Sequence, residues 1–172
     1  DAPKRTRDDR ITELALALGG AVEIGEGLIP APTAGTLMLL GVIESPLLES
    51  DRAARLIDVD IALWILVNGR SALDGTGSMS DIEALADGVC AASKIDPVEA
   101  WKIMRSMVTE SFAGLERIPS NAEGPGPKFR FDLGWFASIT SRVAESANIT
   151  AYAAGWNMPL ALATHYIVEH YR

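Results

Sequence analysis

Apolar residues recur at spacings of three and four along most of the chain, and clusters of glycine and proline cut the runs into pieces of helical length. The first piece, 11–18, predicts a short helix. Gly19, Gly20, Gly25, Gly27, Pro30 and Pro32 then forbid its continuation and leave an irregular or hairpin-like stretch around "AVEIGEGLI". After Pro32, Thr33 caps an apolar helix that ends before Pro46. Asp51 is placed to cap the next helix, 52–68. Its apolar positions, from Ala53 to Val67, crowd more than one side, so it is expected at the centre of a bundle. The β-branched residues in 61–67 leave a buried strand open there.

The second half is better punctuated. "SALDGTGSMS" is a linker by composition, and Ser80 with Glu83 makes a capping box for a helix over 81–93. Asp96, Pro97 and Glu99 meet separate demands of a helix start, predicting a helix from 97 to about 117 with Trp101, Met104, Val108, Phe112 and Leu115 on one face. "RIPSNAEGPGPKFRF" reads as an exposed loop near 118–131. Asp132 caps a helix over 133–147 with Trp135 or Phe136, Ile139 and Val143 inward. "NITAYAAGW" is a connecting turn of helix or loop, and Asn157 with Pro159 starts a terminal helix over 158–171. The expected fold is all-α: a compact multi-helix bundle of about five to seven helices with Gly/Pro-rich loops and little or no sheet.

At 172 residues and 48% hydrophobic composition, one domain over 11–172 suffices. Residues 1–10, dense in Lys4, Arg5, Arg7 and Arg10 against Asp1, Asp8 and Asp9, read as a flexible charged arm, the remnant of a longer N-terminus because the chain does not open with Met. A net charge of −8 and the lack of a basic stripe argue against a nucleic-acid partner. No run reaches the roughly 18 apolar residues of a membrane span. A single cysteine, Cys90, cannot staple a secreted scaffold, so a reducing cytoplasm is expected.

Motifs for chemistry are thin. In "HYIVEH", His165 and Glu169 share a helix face while His170 points about 140° away, which is neither zinc-protease order. One His–Glu pair leaves a metal short of ligands. Cys90 reads as a small buried hydrophobe rather than a nucleophile. Gly25 and Gly27 lack the third glycine and the β-α unit of a dinucleotide loop, and Asp74 in "LDGTGS" lacks the donors of a calcium loop. Asp58 and Asp60, like Asp81 and Glu83, are two apart and do not share a helix face. No catalytic, cofactor or metal residue is assigned, and no cofactor is expected.

Hydrophobic candidates remain. Trp64, Trp101 and Trp135 read as core. Trp156, with Met158, Leu160, Tyr166 and Tyr171, either staples the terminal helix to the bundle or meets a partner protein, since Met and aromatic residues are enriched at recognition surfaces.

The segments "GLIPAPTAGTLMLLGVIES" (27–45) and "GWNMPLALATHYIVEHYR" (155–172) resemble those of the tail assembly chaperones of long-tailed bacteriophages and prophages. The resemblance implies a non-enzymatic protein in the bacterial host cytoplasm. It would bind the long, helical tape measure protein, keep it soluble and help tail tube subunits assemble around it, with self-association in some members. The charged start and the loop at 118–128 do not match that family. A structural head or tail component is the alternative, with arms at 1–10 and 118–131 that order on assembly. A small helical hydrolase or transferase is a further one, and it requires a polar cleft containing His165 or His170.

Overall fold

In the computed structural model, residues 6–49, 52–113 and 131–170 are described, residues 169 and 170 by backbone alone. The expected arm below residue 6, Asp51, the loop from 118 to 130, Leu115 and Tyr171 lie outside them.

Helix α1 runs Arg7–Ala17. It starts earlier than the apolar pattern predicts because Thr6 and Asp9 cap each other: Asp9 N donates to Thr6 Oγ1 at 3.1 Å and Thr6 N to Asp9 Oδ2 at 2.7 Å. Residues 7–10 of the expected arm are therefore helical. Gly19, at φ +78°, ends the helical path. An antiparallel hairpin follows, β1 (Val22–Ile24) and β2 (Gly27–Ile29), in which Val22 faces Ile29 and Ile24 faces Gly27. Its turn rests on residues 93–94: Glu26 N donates to Ser93 O, Glu26 pairs with Lys94, and a Cβ on Gly25 would come within 2.4 Å of Lys94 O.

Helix α2 (Ala34–Val42) begins at Thr33 as expected, with Thr36 returning a second capping bond, and buries Leu37 and Leu40. Helix α3 (Leu56–Asn68) is buried along most of Val59–Leu66 and packs against α2 and β2. The rival strand for 61–67 does not form. The helix also starts four residues later than predicted, because the Asp58 carboxylate turns back onto Arg55 N at 2.8 Å while Arg55 stays extended.

The expected helix over 81–93 is two helices, α4 (Met79–Ala86) and α5 (Val89–Ala92). Ser78 and Asp81 form the cap instead of Ser80 and Glu83, and the break falls at Asp87 and Gly88, the latter at φ +77°. Helix α6 (Pro97–Ser111) starts at Asp96 as expected and ends at Ser111, short of 117. Helix α7 (Leu133–Ala147) matches its prediction, with Asp132 Oδ1 accepting from Trp135 N at 2.9 Å. A π-helical turn, Ala153–Asn157, leads to α8 (Leu160–His170). The described residues thus form an all-α bundle of eight helices with one small hairpin, one helix more than the upper end of the expected range because of the break at Gly88.

The N- and C-terminal parts interlock. Helix α1 packs on α6 and α8, and α7 packs on α2 and α8. Leu160 N donates to Pro32 O at 2.7 Å, and Thr33 bridges Pro159, so the two resemblance-bearing segments lie side by side.

Candidate functional site

Of the five expected partner-binding residues, Leu160 is fully buried at 0% exposure and is core. Its N–H is held by Pro32 O just before α2, and its side chain offers no surface. Met158 and Tyr166 are half-buried and packed against the core. Trp156 is seated from two sides: its ring lies 5.8 Å from that of Phe136, and a Cβ on Gly35 would come within 2.3 Å of its Cε3. The π-helical turn makes the fit, because Gly155 in its middle leaves room for the Phe136 ring, which a Cβ there would approach to 2.4 Å. Two glycines on separate elements therefore accommodate two aromatic rings, the geometry of a staple between α2, α7 and the approach to α8.

Polar chemistry is organised differently from the sequence expectation. The side chains of Glu169 and His170 lie outside the described residues, while the His165 Nε2 lies 3.0 Å from Oε1 of Glu13, a carboxylate only 5% exposed on α1. The pair ties α8 to α1. It resembles the base and orienting carboxylate of a hydrolytic triad, but Nε2 is the nitrogen engaged. Cys90 sits elsewhere, against Asp60 on α3. Asp60 is itself buried and accepts from Gly88 N at 3.1 Å and from Cys90 N at 2.9 Å, capping α5 from another helix. Burial, with the Asp60 carboxylate beside it, pushes the Cys90 thiol up to about 12, so it is an unreactive thiol at neutral pH. Among the described residues no group of three or more His, Cys, Asp or Glu side chains is placed to hold a metal ion.

A cleft of about 180 Å³ opens between the end of α2 and the starts of α3 and α4, lined by Glu44, Ser45, Arg52, Arg55, Asp58, Met79 and Glu83 among others. Both of its arginines are already engaged. Arg52 donates to Glu44 O at 3.0 Å, and Arg55 holds Asp58 through Nε at 3.1 Å and Nη2 at 3.0 Å. The Arg55 guanidinium holds the Asp58 carboxyl below its ordinary range. Among the described residues, this is helix-start architecture in which both lining arginines already have partners.

The surface that stands out is on α1. Its inner side carries Glu13, Leu16 and Ala17 into the bundle. Ile11, Leu14 and Leu18 are 65%, 58% and 76% exposed. At about 100° per residue these three fall within about 60° of one another, on the side away from the bundle. Exposed leucines scattered singly need no explanation, but Ile11 and Leu14 on α1 and Leu18 at its C-cap line up as one exposed apolar stripe. The spacing was present in "RITELALALGG"; the sequence reading assigned these residues only to a short helix and missed that α1 has two apolar sides.

No family model matches the chain, and no curated protein or solved structure does. Among the described residues, no helix is long and apolar enough to cross a membrane.

Proposed function

We propose that this chain is a non-enzymatic protein-binding factor that acts in the bacterial host cytoplasm. Its client is a long helical protein of the tape measure type, which it keeps soluble during phage tail assembly. The observation that supports a binding role is the outer stripe of α1, Ile11, Leu14 and Leu18, held in place by a capping box and by the Glu13–His165 contact behind it. A straight apolar stripe of this width suits an amphipathic helix, which presents anchors at the same spacings. The phage client comes from the resemblance of 27–45 and 155–172 alone. Trp156 serves this reading as the staple that fixes the approach to α8 against α2 and α7, with Met158, Leu160 and Tyr166 packed into the core, and α8 in turn supports α1.

The test is affinity capture from phage-infected cells with the tagged wild-type chain and the Leu14→Glu chain, followed by mass spectrometry. The expected result is a tape-measure-length helical protein bound by the first and lost from the second, with unchanged melting of the bait. Equal capture by both removes the α1 face from the reading. Recovery of the chain in finished particles supports the structural-component alternative instead.

A further inference from the structure

The charge beside the α1 stripe runs against the sign of the chain. Of 15 lysines and arginines set against 23 acidic residues, Lys4, Arg5, Arg7 and Arg10 fall within the first ten positions. Arg7 and Arg10 are on α1, and both are exposed. At about 100° per residue, Arg7 falls on the stripe between Leu14 and Ile11, and Arg10 falls about 40° beyond Leu14. Each stands one turn before an apolar residue, Arg7 before Ile11 and Arg10 before Leu14, so the arginine stems extend the apolar surface.

Among the described residues, neither arginine has an ion-pair partner in the chain. Asp9, which lies between them in sequence, accepts from Thr6 N in the capping box, and Glu13 is buried against His165. Asp8, about 100° round from Arg7, marks the opposite edge of the stripe. By contrast, Arg52, Arg55 and Arg70 are each held by an acceptor of the chain. A basic helix is drawn by the net charge of −8 to the chain as a whole, and on this face it would meet Arg7 and Arg10 as like charges. A helix edged with carboxylates is repelled by the chain in general and matched here.

We infer that the α1 stripe selects an acidic amphipathic helix, one that lays its apolar anchors on Ile11, Leu14 and Leu18 and sets carboxylates against Arg7 and Arg10. The inference rests on the reading that this face binds a helical protein, and it names that partner's chemistry. Each exposed pair is worth a factor of up to about five, so the arginines choose among helices while the apolar stripe holds them.

Two labelled, alanine-based helical peptides of about five turns serve as probes, sharing one leucine stripe and edged by either glutamate or lysine. Fluorescence anisotropy gives their affinities for the full wild-type chain, for Leu14→Glu, and for Arg7→Glu combined with Arg10→Glu, exposed positions near a helix start that accept a carboxylate. The wild type is expected to bind the glutamate peptide at least about threefold more tightly, and the double variant to reverse that preference. Leu14→Glu should lose both peptides, with circular dichroism unchanged throughout. The preference should shrink at about 0.5 M salt, which screens exposed pairs. Equal or tighter binding of the lysine peptide by the wild type, or a preference that survives the double variant, overturns the inference. If both peptides still depend on Leu14, the binding reading stands and only the charge selection fails. If neither peptide binds the wild type, or Leu14→Glu binds both unchanged, the stripe is not the docking face and both readings fail. Leu14-dependent sedimentation with phosphatidylserine vesicles, or Leu14-dependent dimerisation, alongside equal affinity for the two peptides gives the stripe to a membrane or a second copy and also overturns the inference.

Discussion

Adding one methyl group at Gly35 should change sign in its effect on stability according to whether Trp156 is present. In the folded chain that methyl carbon would lie 2.3 Å from Trp156 Cε3 and 2.5 Å from Cδ2 and Cζ3, far inside van der Waals contact, and the indole is backed by the Phe136 ring. Overpacking of this kind costs about 1–3 kcal/mol. Alanine also favours helix over glycine by up to about 1 kcal/mol. Gly35→Ala alone is therefore expected to lose about 1–2 kcal/mol, and Trp156→Ala alone about 3, the low end for an aromatic truncation because the ring is half-buried. In the Trp156→Ala background the obstruction is gone, so Gly35→Ala should stabilise by up to about 1 kcal/mol. The resulting coupling is about 2–3 kcal/mol, typical of side chains in direct contact. Thermal unfolding followed by circular dichroism reads this directly, at about 2–4 °C per kcal/mol for a chain of this length. If Gly35→Ala raises the melting temperature equally in both backgrounds, the indole is not seated on α2 and the staple is wrong.

Three further outcomes follow from the polar contacts. Asp60→Ala removes the acceptor for two amide groups at the start of α5 and should cost about 2–4 kcal/mol, with hydrogen exchange accelerating first at Gly88 and Cys90. A thiol reagent at pH 8 should label Cys90 only as fast as the fold opens, because the folded thiol titrates near 12; stoichiometric labelling within seconds would contradict that burial. Asp58 has a folded pKa below its unfolded value, so its contribution is present above about pH 4 and is lost as the pH falls through the folded value; the melting difference between wild type and Arg55→Ala should be constant near neutrality and narrow below about pH 4.

What was legible in the sequence was local. The starts of α2, α6 and α7 follow from Thr33, from Asp96 with Pro97, and from Asp132, because a cap and its amide lie within three residues of each other. Local rules also generate ties that only geometry breaks. Ser78 with Asp81 and Ser80 with Glu83 are both capping patterns, and the chain uses the first. Asp51 and Asp58 both suit a helix start, and the Asp58 carboxylate, by closing on Arg55, decides the boundary of α3.

Features made by distant residues were not legible at all. The break at Gly88 is supported by Asp60, 28 residues earlier, whose spacing from Asp58 alone marks nothing. Glu13 looks like a solvent-facing carboxylate until His165 on the last helix closes over it. Leu160 sits in an apolar segment whose inward and outward sides depend on where Pro32 lies. The α1 stripe was different: its periodicity was in view, but which of two apolar sides faces the bundle depends on α6 and α8.

Site-specific photo-crosslinking tests the central claim, that the outer face of α1 is the binding surface, most directly. A photoreactive amino acid is placed at position 14 and, as a control, at position 98, where Val98 is 60% exposed at the start of α6. The account predicts that position 14 yields discrete adducts with a helical client or a second copy of the chain, while position 98 yields none. No adduct at position 14, or the same adducts at both positions, would contradict it.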